Sequence, residues 1–217
     1  MNWRLASRLS VITLAALVVV FVALWGLRAN GQATSNMPPT ATPGAGLIGS
    51  DLGETAAPNF TLTDQNGKPI SLAQFRGKPV VLTFVATHSP SESAALADKL
   101  AEVLQRLGQQ SQQVAVLAVS VDPHGDTVAS VTQFSQAHHL LTSWHYLLGT
   151  QAELAPVWKA YAIGVSAAPT AQVSTSGPVV YTSAIYVIDQ QGRERVYLDG
   201  SFTPDQLTTD LQKLLKG

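Results

Sequence analysis

Residues 78–107, KPVVLTFVATHSPSESAALADKLAEVLQRL, decide the fold of this chain. The run from Val80 to Ala86 is apolar and rich in branched side chains, which predicts a strand buried within a sheet. After Thr87 and His88, apolar residues recur with helical period as far as Leu107, so the strand leads through a tight turn into a helix. A cysteine at the start of such a helix would be reactive, because the helix dipole favours its thiolate. The turn in this chain contains no sulfur.

The composition narrows the possible functions. The chain has 217 residues, enough for one domain of ordinary size with appendages. Its 13 basic and 14 acidic residues give a formal net charge of −1, and no basic cluster lies beyond the N-terminus, so we expect no nucleic-acid partner. The absence of cysteine excludes disulfides, thiolate metal sites and thiol redox chemistry.

An uncharged apolar segment lies near the N-terminus. Residues 9–27 read LSVITLAALVVVFVALWGL, about the length that crosses the hydrocarbon core of a bilayer. Arg4 and Arg8 precede it, which predicts a transmembrane anchor with a cytoplasmic N-terminus and the rest of the chain outside. A cleaved secretory signal, with Ala29 and Gly31 near the cleavage point, is the alternative. Both interpretations export the globular part, and we expect it on the outer face of a bacterial plasma membrane.

The predicted organisation has four parts. Residues 1–8 form the cytoplasmic N-terminus and residues 9–27 form the anchor. Residues 28–57 are rich in Gly, Ala, Pro, Thr and Ser, which predicts a flexible linker. Residues 58–217 form the folded domain.

Strands and helices alternate along the folded domain. Residues 59–70 predict a β-hairpin around an Asn66-Gly67 turn. Apolar runs predict further strands, and capping residues followed by helical spacing predict helices. The other predicted strands are 80–86, 114–121, 144–148, 179–189 and 193–198, and the helices are one ending near 107, then 126–138, 150–161 and a last one from 203. This order predicts an α/β fold with a thioredoxin-like mixed sheet flanked by helices, an N-terminal β-hairpin and a single transmembrane helix.

Several short motifs follow one another through this domain. They are Ala57-Pro-Asn-Phe-Thr-Leu62, Gly77-Lys78, Thr87-His88-x-Pro90, Val121-Asp122-Pro123 with Asp126-Thr127, Val157-Trp-Lys-Ala-Tyr161, and Ile185-Tyr-Val-Ile-Asp189 with Gln191-Gly192-Arg193. Each motif is weak alone, but in this order they resemble the Sco/SenC family. Its members are membrane-anchored, thioredoxin-fold copper chaperones for assembly of the CuA centre of cytochrome c oxidase.

The resemblance implies where a copper site would lie. The family binds copper through two cysteines on the first helical turn after the central strand and through a histidine before a late strand. In this chain those positions hold Ser89, Ser93 and Tyr181. Cu(I) selects soft thiolate, thioether and imidazole ligands, so we expect no copper or other cofactor bound by the family mechanism, and no catalytic residues. The resemblance then implies a degenerate member that acts by interaction with cytochrome c oxidase subunits or assembly factors.

The polar residues at this end of the sheet also have structural roles in the prediction. Ser89-Pro-Ser-Glu92 has the pattern of a capping box with proline at the first helical position. Ser93, one turn further on, is expected to pack near the loop that carries Tyr181. Asp122 and Asp126 are expected to cap and brace their loop.

Two alternative functions stay open. Among five histidines, His88 and His124 both follow strands at the same end of the sheet, so they are the candidates for a relocated site in a copper-binding chaperone. Exposed or capping histidines are commoner than metal ligands, which disfavours this alternative. A thioredoxin- or peroxiredoxin-type oxidoreductase is the other alternative, disfavoured because its chemistry needs a thiol.

Overall fold

The computed structural model describes residues 46–167 and 179–216, all within one compact unit. The segment predicted as an anchor, residues 9–27, lies outside the described residues, as does most of the predicted linker. Within residues 46–167 and 179–216, none of the helices combines the length and the apolar character needed to cross a bilayer.

The described part of the chain forms ten strands and four α-helices. The strands are β1 (Ser50–Asp51), β2 (Thr61–Asp64), β3 (Pro69–Ser71), β4 (Val80–Val85), β5 (Ala115–Ser120), β6 (His145–Leu148), β7 (Val165–Ala167), β8 (Val179–Tyr181), β9 (Ala184–Ile188) and β10 (Glu194–Asp199). The helices are α1 (Pro90–Leu107), α2 (Val128–Ala137), α3 (Gln151–Ala160) and α4 (Pro204–Lys216), with short 3₁₀ turns at Leu72–Phe75 and Gly108–Gln113.

Eight strands form one mixed sheet in the order β1-β10-β9-β4-β5-β6-β2-β3. β4, β5 and β6 run parallel, and the other neighbours are antiparallel. The thioredoxin-like mixed sheet and the N-terminal hairpin, β2 with β3, are thereby confirmed. β1 lies in the segment that composition assigned to the linker, and the N–H of Ile48 just before it donates to Asp210 of α4 at 2.8 Å.

The sheet separates two hydrophobic layers, and the central strands supply side chains to both. Along β4, Val81 and Val85 face the layer that contains residues of α1, α2 and α4, while Leu82 and Phe84 face the layer that contains residues of α3. Successive side chains of a strand point to opposite faces of the sheet, and both faces are covered here. The side chains of β4 are therefore apolar, except for that of Thr83, which is hydrogen-bonded.

The structure corrects the prediction of one strand over residues 179–189. The chain forms two strands there: β8 pairs with β7 in a separate two-stranded sheet, and β9 lies in the main sheet between β4 and β10. The pairing of β9 with β4 ends at Thr83, whose hydroxyl donates to the Ala184 carbonyl at 3.0 Å. The Thr83 hydroxyl thus provides a hydrogen-bond donor for the Ala184 carbonyl, at the point where the chain leaves the main sheet. In the sequence, the polar pair Thr182-Ser183 lies at this break.

We expect Leu117→Ala, in the centre of β5, to lower the free energy of unfolding by about 2–5 kcal/mol, because it leaves a cavity between the sheet and α3. Leu117 is 0% exposed. Leu141→Ala is the matched control, since Leu141 is 38% exposed, and we expect it to cost about 0.5 kcal/mol or less. Urea denaturation followed by circular dichroism measures both values, and equal losses would contradict this account of the core.

Candidate functional site

The candidate site lies where the central parallel strands end. β4 and β5 pair in register from Val80 with Ala115 to Val85 with Ser120, so their carboxyl ends lie side by side. The turn after β4 leads into α1, and the loop after β5 leads into α2. β8 brings Tyr181 to the first turn of α1. The polar residues singled out in the sequence therefore come from three separate segments.

Ser93 and Tyr181, two positions that the resemblance assigns to copper ligands, contact each other directly. Their hydroxyl oxygens are 2.8 Å apart, and the N–H of Ala86 donates to Ser93 Oγ at 3.3 Å. Ser93 is fully buried and Tyr181 is 7% exposed. Burial raises the pKa of the Tyr181 phenol, so the phenol is neutral at physiological pH. A neutral hydrogen bond thus connects α1 to β8, and the expected packing of Ser93 near Tyr181 agrees with it.

Ser89, the third of these positions, corrects the prediction of a capping box. Ser89 is the residue before α1, but its side chain makes no capping hydrogen bond. Its hydroxyl instead donates to the carbonyl of Val179 in β8 at 2.9 Å. The sequence pattern identified the helix start, whereas the hydroxyl bonds to a carbonyl ninety residues away in the chain. Ser89 and Ser93 are therefore both bonded to β8.

Asp126 is a buried carboxylate that accepts hydrogen bonds from the turn after β4, from the end of β5 and from a residue within β6. Its Oδ1 accepts hydrogen bonds from the N–H and hydroxyl of Thr87 at 2.8 and 2.7 Å. Its Oδ2 accepts from the hydroxyls of Ser120 and Tyr146 at 2.6 and 2.7 Å. Burial raises the pKa of Asp126, although these hydrogen bonds oppose the rise. Asp126 braces the loop as expected, and Thr127 is the residue that caps α2.

His88 and Asp122 lie beside this carboxylate. His88 Nδ1 is 3.8 Å from Asp122 Oδ2 and 3.1 Å from the Thr87 hydroxyl. Asp122 Oδ1 accepts a hydrogen bond from the N–H of Gly125 at 2.9 Å, whereas the buried Oδ2 has no hydrogen-bond partner among the described residues. Ligand atoms of His88, Asp122 and Asp126 all lie within 4.8 Å of one another.

The other histidines do not join this group. His124 is exposed and is not a member of it, so the predicted partner of His88 is replaced by carboxylates. His138 pairs with Asp98 at 2.6 Å, and His145 pairs with Asp64 at 3.2 Å. The adjacency of two parallel strand ends was visible in the sequence, and it is the signal that connects His88 to Asp122.

Comparisons with known proteins place this fold in a family. A family model described as SCO1/SenC matches residues 49–216, which contain every element of the fold. The chain belongs to the SCO1/SenC family.

Relatives of this SCO1/SenC protein are similar over its folded part. "Protein SCO2 homolog, mitochondrial" of Bos taurus is 30% identical over 159 residues, which are 71% of this chain and 58% of the relative. This chain therefore matches less than two thirds of that relative's length. The structure of Bradyrhizobium japonicum ScoI with copper bound superposes with a TM-score of 0.65 and 29% identity, over 74% of this chain and 99% of that chain.

A second class of protein is also similar. "Peroxiredoxin Q, chloroplastic" of Triticum aestivum is 31% identical over 121 residues, which are 54% of this chain and 53% of the relative. The thiol chemistry that the thioredoxin- and peroxiredoxin-type alternative requires cannot occur in this SCO1/SenC chain, since it has no cysteine.

We expect Tyr146→Phe to lower the free energy of unfolding by about 1–3 kcal/mol, because it removes a donor to the buried Asp126 carboxylate. The hydrogen bond lowers the pKa of Asp126, so its loss raises that pKa further. The cost is largest at pH values above the raised pKa, where Asp126 is ionised, and shrinks as the pH falls through that pKa.

The half-exposed Tyr197 provides the matched control, since Tyr197→Phe should change the free energy of unfolding by about 0.5 kcal/mol or less. Urea unfolding at a series of pH values measures both variants. A cost of Tyr146→Phe that is independent of pH would contradict the assigned role of Asp126.

Proposed function

We propose that this protein acts in cytochrome c oxidase assembly by protein interaction, without carrying copper in the manner of its family. Membership of the SCO1/SenC family supports the connection to copper chaperoning for the oxidase. We further propose that residues 9–27 anchor the domain on the outer face of a bacterial plasma membrane, and that its partners are oxidase subunits or assembly factors. The domain then contributes a docking surface rather than a catalytic group.

The observation that carries this proposal is the set of hydrogen bonds at Ser89, Ser93 and Tyr181. Ser93 and Tyr181 contact each other, and Ser89 bonds to Val179 in the strand that carries Tyr181, but hydroxyls occupy all three positions. A hydroxyl is neither soft nor ionised at neutral pH, so it does not compete for Cu(I) with cellular thiols. The bonds between α1 and β8 provide the connection that a bound metal would otherwise provide.

We expect the purified full-length chain to take up no Cu(I) under anaerobic conditions in competition with a chromogenic copper chelator. The triple variant Ser89→Cys, Ser93→Cys, Tyr181→His should gain a site for about one Cu(I) per chain, because it supplies two thiolates at the start of α1 and an imidazole on β8, which is bonded to that turn. Tyr181→His alone is the matched control and should gain no such site. Stoichiometric uptake of Cu(I) by the unmodified chain would refute the proposal.

We expect deletion of the gene to lower the amount of CuA-containing oxidase in cells. The unmodified gene and Ser89→Ala should restore it equally, since the hydroxyl contributes only a hydrogen bond to Val179. Oxidase activity and copper content per oxidase measure the effect, with thermal unfolding as the check that the variant is folded. Normal oxidase in the deletion strain, or failure of a folded Ser89→Ala variant, would contradict an interaction role.

A further inference from the structure

The carboxylate of Asp122 has one oxygen, Oδ2, that makes no hydrogen bond with the described residues. Asp122 is 5% exposed, and its Oδ1 bonds to the N–H of Gly125 within the loop. Its Oδ2 is buried and unpartnered among the described residues. A buried carboxylate oxygen without a partner is costly, because desolvation of the charge is not compensated.

The imidazole of His88, from the turn after β4, faces Asp122 Oδ2. The two ligand atoms are 3.8 Å apart. Zinc bonds of about 2.0–2.2 Å in tetrahedral geometry place two ligand atoms about 3.3 Å apart, so a closure of about half an ångström would let both reach one ion. The His88 side chain is 43% exposed, which leaves water access to the remaining coordination positions.

Gly125 leaves space on the same side. A Cβ added to Gly125 would lie 2.1 Å from Asp122 Oδ2 and 2.7 Å from His88 Nδ1. The lack of a side chain at this position therefore keeps the region beside both ligand atoms open. The loop backbone at Gly125 lies close to both ligand atoms but leaves the space beside them empty.

Asp126 positions His88 and is not itself one of the two metal ligands. Its two oxygens already accept four hydrogen bonds, which use the acceptor positions of a carboxylate. Two of those bonds hold Thr87, whose hydroxyl lies 3.1 Å from His88 Nδ1. Asp126 thus positions the turn that carries His88 and adds negative charge beside the site, both of which favour a bound cation.

We propose that His88 Nδ1 and Asp122 Oδ2 form a site for a divalent transition-metal cation, with zinc as the representative ion and water completing the coordination. Imidazole with carboxylate is a ligand set that suits zinc and disfavours Cu(I), which prefers sulfur. The site uses none of the positions Ser89, Ser93 and Tyr181, so it is independent of the proposed function. It also differs from a site formed by His88 and His124.

Calorimetric titration of the purified full-length chain with zinc chloride at neutral pH tests this proposal. The unmodified chain should bind one zinc ion per chain in the low-affinity range of a two-ligand site, and acid should weaken binding because a metal-bound imidazole must be neutral. His88→Ala and Asp122→Asn should each weaken binding by at least about tenfold. Asn keeps the shape of the side chain and the acceptor for Gly125.

Gly125→Ala offers a test that removes no ligand. Its methyl group would occupy the space beside both atoms, so zinc binding should weaken while the thermal unfolding midpoint confirms a folded protein. His124→Ala is the matched control and should bind zinc like the unmodified chain. No zinc binding by the unmodified chain, or equal loss in His124→Ala and His88→Ala, would overturn the proposal.

Discussion

The burial of β4 and β5 on both faces is the constraint from which the rest of the structure follows. Two adjacent parallel strands of apolar residues are stable only if helices cover both sides of the sheet, and α1 and α4 on one side and α3 on the other provide that cover. The parallel pairing also brings both carboxyl ends to the same edge of the sheet. The loops that follow therefore meet, and every polar group of the candidate site lies on them or against them.

At that edge the buried carboxylate of Asp126 sets the arrangement of the loops. A charge taken out of water needs compensation from neighbouring donors. Thr87 after β4, Ser120 at the end of β5 and Tyr146 within β6 provide it. The turn before α1 is thereby held to the loop before α2. This interaction requires no metal, so the shape of the site persists in a chain that has hydroxyls at Ser89 and Ser93. The fold of this site therefore does not depend on a bound metal.

The structure of Bradyrhizobium japonicum ScoI with copper bound is similar to this chain over 99% of that chain at 29% identity. In this chain, the segments that carry Ser89, Ser93 and Tyr181 are joined by hydrogen bonds of 2.8 and 2.9 Å. Each bond is worth about 1 kcal/mol, far less than metal coordination, so the connection between α1 and β8 is weaker than a metal would make it.

The sequence alone determined the order of the helices and of the central strands and the thioredoxin-like sheet, because apolar periodicity is a local property. The family resemblance placed Ser93 near Tyr181. The sequence also excluded thiol chemistry, because the absence of cysteine is a property of the composition alone. Only the tertiary structure decided that Ser89 bonds to Val179 rather than capping α1, that residues 179–189 form two strands, and that His88 faces Asp122 rather than His124. These outcomes depend on groups distant in the chain, and a hydroxyl or carboxylate takes whichever partner the packed elements bring within about 3 Å.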